Sequence, residues 1–188
     1  TLRLFAAPAA QSCASYSCDS LEAAIAVCDH LSLPPVEPTA VTLRPDGGAW
    51  TLIATFDGRA ERVTRERALV EERAPGAAWS EGEEALAVHV TARDSSPGEG
   101  ETPCLRISTR PTRMQSVIES LRGHAPESRF LAHPLAGTLE ASFDTQTELD
   151  ALVSDLRRLG ASVRVRGAAD EGAHPRATLA LEERLKDA

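Results

Sequence analysis

Arginines and other polar side chains alternate with apolar ones in the second half of the chain. From Leu105 to Arg110 this alternation has the period of a half-buried strand. If helices cover the apolar face of the sheet, the opposite face is predicted to carry His89, Arg106, Ser108, Arg110, Thr138, Glu140, Arg164 and Arg166. Arginines on adjoining strands can hold a carboxylate with a guanidinium fork. The alternative is a plain solvated face, which antiparallel sheets often have.

His133 lies at the end of a predicted strand, directly before Pro134. A histidine in that position can act as a base or contact a cofactor, and a turn histidine without such a role is the alternative. His30 and His124 lie at predicted helix ends, where the helix dipole alone accounts for them. Since no two histidines are three or four residues apart, the sequence predicts no local zinc motif.

The usual loops of phosphate binding and nucleophilic catalysis are missing from the sequence. Residues 45–48 (PDGG) predict a hairpin turn and not a glycine-rich loop between a strand and a helix. No serine lies in a nucleophile elbow. Taken alone, the sequence therefore shows no complete active site.

Residues 104–166 predict one complete unit of strand, helix, strand, strand, helix and strand. Apolar residues at helical spacing follow Thr112 and Thr145, and a tight connection over 134–137 joins the two middle strands. The predicted strands are 105–110, 128–133, 138–143 and 162–166.

The first half of the chain predicts the same order of elements. Its strands are predicted at 12–17, 41–43, 50–56 and 86–90, with helices that begin at Asp19 and Asp57. We therefore predict an α+β fold with two ferredoxin-like βαββαβ repeats, at about 11–92 and 104–166. The repeats are expected to form one antiparallel sheet with helices on one face. A flexible joint is predicted over 94–102, and a C-terminal helix over about 175–188.

Composition restricts the class of protein. A net charge of −8 and a single tyrosine argue against a nucleic-acid binder. The four cysteines have no metal-ligand spacing and predict buried free thiols in a reducing compartment. No apolar run reaches the roughly 18 residues of a membrane span. The chain begins with strand-like residues and ends inside an apparent helix, which suggests a piece of a longer protein.

Short segments along nearly the whole chain resemble segments of a known family. They are 1–5 (TLRLF), 19–24 (DSLEAA), the 43–56 hairpin, 132–137 (AHPLAG) and 185–188 (LKDA). In these segments the chain resembles the cap, or C-terminal substrate domain, of FAD-linked oxidases of the vanillyl-alcohol-oxidase type. The strongest resemblance is to the glycolate oxidase E subunit. In that family the last segment continues into Phe-Asp-Pro and Asn-Pro-Gly, which this chain lacks.

The resemblance implies a function for the predicted sheet. Residues 1–188 would be a cap laid over a flavin, while FAD would be bound mainly by an N-terminal domain that this chain lacks. The whole protein would be an FAD-dependent oxidoreductase that oxidises a 2-hydroxy acid such as glycolate, and this piece alone would be inactive. Arg106 and Arg110 would bind the substrate carboxylate, and His133 would take the hydroxyl proton. The histidine cluster of the related metal-binding D subunits is not matched, so no metal is expected.

The resemblance also implies partners and a location. They are the protein's own FAD-binding domain, a D-type flavoprotein subunit and an iron–sulfur subunit, in the cytoplasm or peripherally at the inner membrane. An E-type subunit can alternatively serve electron transfer or assembly. The alternative from another class is a non-enzymatic ferredoxin-like module that binds a partner or a small ligand on its open sheet face.

Overall fold

The computed structural model describes residues 8–94, 104–143 and 149–166. The first part of the chain forms β1 (Ala10–Cys18), α1 (Leu21–Leu31), β2 (Ala40–Asp46), β3 (Ala49–Gly58), α2 (Ala60–Arg73), β4 (Ala78–Glu81) and α3 (Gly82–Asp94). The second part forms β5 (Cys104–Ser108), α4 (Met114–His124), β6 (Arg129–His133), β7 (Thr138–Ser142), α5 (Leu149–Arg158) and β8 (Ser162–Arg166). Short 3₁₀ turns at Pro111–Arg113 and Pro134–Ala136 precede α4 and β7.

The predicted α+β fold with an antiparallel sheet is confirmed. The strands follow the order β4-β1-β3-β2-β6-β7-β5-β8. Two βαββαβ repeats are present: β1 to β4 with α1 and α2, and β5 to β8 with α4 and α5. The predicted segment 1–5, residues 95–102 of the predicted joint and the predicted C-terminal helix lie outside the described residues, while Asp94 ends α3.

The described residues divide into two compact units. The first unit comprises 8–94 and 131–136, and the second comprises 104–130, 137–143 and 149–166. Most of β6 thus belongs to the first unit, where Ala132 pairs with Leu43 of β2. None of the described helices is both long and apolar enough to cross a membrane.

The core of the first unit lies between its central strands and the helices α1 and α2. β1 pairs with β3 in a regular antiparallel register, so that Tyr16 lies opposite Leu52. Directly opposed residues of such a pair point to the same side of the sheet. Tyr16 points to the α2 side, because its hydroxyl donates a hydrogen bond to the carbonyl of Ala74 at the end of α2, at 2.9 Å.

The prediction of a strand over 86–90 is wrong. These residues belong to the helix α3, and the fourth strand of the repeat is β4, which contains Trp79, predicted as part of a link. Leu86, Val88 and Val90 alternate as in a strand, yet Leu86 is 48% exposed. The side chains that pack on the sheet or bond to it follow helical spacing instead. They are Ala85, Val88, His89 and Ala92.

α3 also overturns the expectation that helices lie on one face only. It packs against Cys13 and Ile53, and Cys13 donates a hydrogen bond to the carbonyl of Ala85 at 3.3 Å. Because Cys13 and Tyr16 are an odd number of residues apart on β1, they point to opposite faces. In the first unit the sheet is therefore covered by α1 and α2 on one face and by α3 on the other.

The second unit buries one face of its part of the sheet, in which β5 lies between β7 and β8. Leu105 and Ile107 of β5 are fully buried, whereas Arg106 and Ser108 between them are exposed. The helices supply the rest of this core from their apolar sides, as the helical spacing predicts. These core residues are Met114, Val117, Ile118, Leu121, Leu152, Val153 and Leu156.

Candidate functional site

A polar patch covers the outer face of the sheet in the second unit. On β5, Arg106 lies opposite Arg164 of β8 on one side and Glu140 of β7 on the other. A second row runs parallel to the first, with Ser108 between Ser162 and Thr138. We call this patch the arginine–hydroxyl face; it consists of Arg106, Ser108, Thr138, Glu140, Ser162 and Arg164.

The regular geometry of the strands sets the size of the arginine–hydroxyl face. Directly opposed side chains have Cβ atoms about 5 Å apart, and alternate residues of a strand are about 7 Å apart. Three strands and two rows therefore span about 10 Å by 7 Å. This is the scale of a small organic acid.

The first row of the face carries an excess of positive charge. Arg106 is 45% exposed, and its Nε is 3.9 Å from Oε1 of Glu140, which is 29% exposed. This is an ion pair without an ordinary hydrogen bond. Arg164 is exposed, and its side chain forms neither an ion pair nor a hydrogen bond with the described residues. Because like charges directly opposite each other are unfavourable, Arg106 and Arg164 favour an anion between them.

The structure places the sequence-predicted residues unevenly. Most members of the predicted polar face do lie together on the second unit. Ser162 also belongs to this face but was not predicted, although it is two residues from Arg164 and therefore points to the same side of β8. Arg110 lies beyond the end of β5, at the start of a 3₁₀ turn. Arg166 is the last residue of β8 and pairs with Cys104. His133 ends β6 and is half-buried in the first unit.

His89 does not lie on the polar sheet face, and its prediction there is wrong. It belongs to α3, where its Nδ1 shares a hydrogen bond of 3.1 Å with Oγ1 of Thr55. The same hydroxyl is 3.6 Å from Sγ of Cys13. Helical spacing from Ala85 and Ala92 was the signal that would have placed His89 against the sheet.

This cysteine, threonine and histidine group is suited to structure rather than to nucleophilic chemistry. Cys13 is fully buried. Burial raises the pKa of its thiol, Thr55 lowers it through a hydrogen bond, and the charge of Asp57 raises it again. Because the thiolate is the reactive form, Cys13 stays a neutral donor to the α3 backbone.

The other cysteines are free as predicted, and most of them are shielded. Cys18 and Cys28 are buried, and Cys104 is half-buried. Burial raises the pKa of Cys28 to about 12, so this thiol is protonated and unreactive near neutral pH. In the described part of the chain, no three histidine, cysteine or acidic side chains come together as metal ligands.

A groove of about 480 Å³ lies between α2 and the beginning of β1 in the first unit. Arg67 lines this groove, and its guanidinium forms ion pairs with the carboxylates of Glu71 and Glu81. Arg67 also lies over the ring of Trp79, with 5.0 Å between the guanidinium carbon and the ring centre. Because these neighbours already neutralise the charge of Arg67, we expect the groove to bind an anion more weakly than the arginine–hydroxyl face does.

The comparisons with known proteins leave the family unassigned. No protein-family model matches the chain, and a search of curated proteins found no match. The candidate site therefore depends on the geometry described above.

The turns before α1, α2 and α3 do not form a cradle for the pyrophosphate of FAD. Such a cradle needs backbone N–H groups in a glycine-rich turn at the beginning of a helix. The turns before α1, α2 and α3 contain at most one glycine each, and each has a carboxylate beside it. Those carboxylates belong to Asp19, Asp57 and Glu81. They would repel a pyrophosphate, so flavin binding does not fit these three turns.

Proposed function

We propose that this chain is the cap domain of an FAD-dependent oxidoreductase that oxidises a 2-hydroxy acid, of the glycolate oxidase E type. The supporting observation is the pair of βαββαβ repeats of which the second keeps a polar sheet face exposed. A cap of this family is expected to lay an antiparallel sheet over the flavin, and the flavin itself would be held by a separate domain.

The chemistry of the arginine–hydroxyl face suits the proposed substrate. A guanidinium binds a carboxylate through two parallel hydrogen bonds, and Arg106 is the proposed holder of the substrate carboxylate. Hydroxyl groups of Ser108 and Thr138 can bond the substrate hydroxyl. The cap would orient the acid and exclude water from it. The role of His133 as the base remains a prediction from the resemblance.

The extra helix α3 restricts the proposal to the second repeat. In the first repeat α3 packs on Cys13 and Ile53, which is the face that a simple lid would leave bare. We therefore assign substrate contact to the arginine–hydroxyl face and give the buried group of Cys13, Thr55 and His89 a structural role.

Expression of the complete gene product that contains this chain tests the proposal. We expect a yellow protein whose flavin absorbance is bleached by glycolate in the absence of oxygen. Arg106→Gln should raise the glycolate concentration needed for half-maximal bleaching, because the carboxylate loses its fork. Arg122→Gln, at an exposed position in the last turn of α4, should leave it unchanged. A complete protein that retains no flavin would contradict the proposal.

A non-enzymatic small-ligand module is the second candidate function. The like-charged pair of Arg106 and Arg164 favours it, since an anion can bind there without any flavin chemistry. A flavin-free complete protein that binds glycolate would support this candidate. Co-purification with a D-type flavoprotein and an iron–sulfur protein would support the oxidase, as would a cytoplasmic or inner-membrane-peripheral location.

A further inference from the structure

We propose that Arg106 and Arg164 act together as one carboxylate-binding pair for a small 2-hydroxy acid, with the neighbouring serine and threonine hydroxyls selecting the substrate hydroxyl. The inference deepens the proposed function, on which it rests for the identity of the acid. It adds Arg164 and Ser162 to Arg106, Ser108 and Thr138 as residues that determine specificity.

The antiparallel register is the first reason for this pair. Arg106 and Arg164 are directly opposed on neighbouring strands, so their Cβ atoms lie about 5 Å apart. Two long side chains that start so close can approach one carboxylate from both sides. Without an anion the two positive charges repel each other.

The charge balance of the row is the second reason. Oε1 of Glu140 is 3.9 Å from Nε of Arg106, so that its carboxylate offsets one of the two arginine charges. Arg164 has no ion pair with a described residue, which leaves one positive charge in excess over the three residues. A monoanionic acid neutralises this row, and Glu140 discourages a second negative group near Arg106.

The hydroxyl row is the third reason, and it gives the ligand its chemical class. The hydroxyl row lies about 7 Å from the charged row along the strands. Flexible arginine side chains can span this distance. The row consists of Ser108, Ser162 and Thr138. The α-hydroxyl group of glycolate can donate and accept hydrogen bonds with this row, whereas the methyl group of acetate can do neither. The face should therefore bind glycolate more tightly than acetate.

Titration of the 188-residue chain with sodium glycolate tests the site by nuclear magnetic resonance of the backbone amides. We expect saturable shifts at Arg106, Ser108 and Arg164, and weaker binding of acetate at equal ionic strength. Arg164→Gln should weaken glycolate binding about tenfold or more, because a charge-assisted pair of hydrogen bonds is lost. Arg164→Lys should recover only part of the affinity, since lysine keeps the charge without the fork.

Arg157→Gln is the matched control, because Arg157 is an exposed arginine of the same unit on α5. It should leave the affinity for glycolate unchanged. Equal losses in the Arg157 and Arg164 variants would indicate general charge attraction and overturn the site. Non-saturable shifts would overturn it as well, as would equal affinities for acetate and glycolate. Since no flavin takes part in this titration, its failure is distinct from the failure of the oxidase proposal.

Discussion

The two repeats share one order of elements but treat the outer face of the sheet in opposite ways. In the first repeat α3 covers this face, and the polar groups of Cys13, Thr55 and His89 bond to one another or to the α3 backbone. In the second repeat the exposed arginines of the arginine–hydroxyl face are covered by no described helix. A polar residue on a shared topology thus becomes part of the core or of a binding surface according to what packs on it.

We expect the largest difference in stability between the two repeats at the turns that connect their two middle strands. Gly137 precedes β7 with a φ of +66°, and a Cβ added there would overlap the carbonyl oxygen of Thr109. Its own carbonyl also accepts a hydrogen bond from the N–H of Thr109, at 2.7 Å. Gly137→Ala should therefore destabilise the chain by at least about 3 kcal/mol in urea unfolding, because it combines strain with a clash against backbone.

Gly47 is the matched position in the hairpin of the first repeat. Its φ is +57°, but a Cβ added there meets nothing within 4 Å. Gly47→Ala should cost only about 1–2 kcal/mol, which is the penalty for a left-handed conformation alone. Equal costs at the two glycines would show that the contact with Thr109 does not constrain the second repeat.

The packing of α3 on the first repeat is the next largest effect. Ala85 is fully buried against the sheet, whereas its neighbour Leu86 is 48% exposed. Ala85→Leu should cost about 1–3 kcal/mol, because a larger side chain does not fit a close-packed contact. Leu86→Ala should change the free energy of unfolding by less than about 0.5 kcal/mol. The reverse ranking would favour the alternating strand that the sequence suggested.

The hydroxyl of Thr55 tests whether the covered polar group stabilises the first repeat. Thr55→Val keeps the shape of the side chain but removes the hydrogen bond to His89, and should cost about 1 kcal/mol in thermal or urea unfolding. Thr42 is a suitable control, since it is also buried. It lies opposite Ile53, on the face of the sheet that α3 covers. Thr42→Val should be close to neutral. If Thr55→Val also left the free energy of unfolding unchanged, the proposed structural role of Cys13, Thr55 and His89 would be wrong.

The sequence predicts most of the fold because the apolar period is clear in most of its elements. Met114 to Leu121 and Leu152 to Leu156 have a helical stripe, and strand β8 has the predicted limits of 162–166. α3 was mispredicted because Val88 belongs to two patterns, alternating with Leu86 and helical with Ala85. Alanines carry little hydrophobic signal, so the helical pattern was the weaker of the two in the sequence.

The candidate site was predictable only in part. Parity along each strand places Arg106, Glu140 and Arg164 on the polar face, because side chains alternate strictly. The register that sets Arg106 directly between the other two depends on the turns and on core packing, which the sequence does not reveal. His89 was placed on the wrong face because residues 86–90 were predicted as a strand, whereas they belong to α3.

The smallest expected effect concerns the polar contacts that hold the helices of each repeat in place. In the first repeat Arg73 of α2 donates to the carbonyls of Leu33 and Pro34. In the second repeat α4 and α5 are joined by His124 Nε2 and Asp155 Oδ2, 2.8 Å apart. This hydrogen bond is the main reason that the pKa of Asp155 is lowered from 3.8, with the charge of Arg158 a smaller one.

A lowered pKa in the folded state means that ionised Asp155 stabilises the fold above pH 3.8, and that this stabilisation is lost as the pH falls through the folded-state pKa. His124→Ala should move the pKa of Asp155 back toward its ordinary value, and Arg158→Ala should move it less. Carbon-detected titration of the Asp155 carboxyl measures both shifts. A larger shift from Arg158→Ala would mean that charge, and not the hydrogen bond between α4 and α5, sets the acid response of the second repeat. The effect on stability should be small in either variant, because surface pairs in contact with water contribute little.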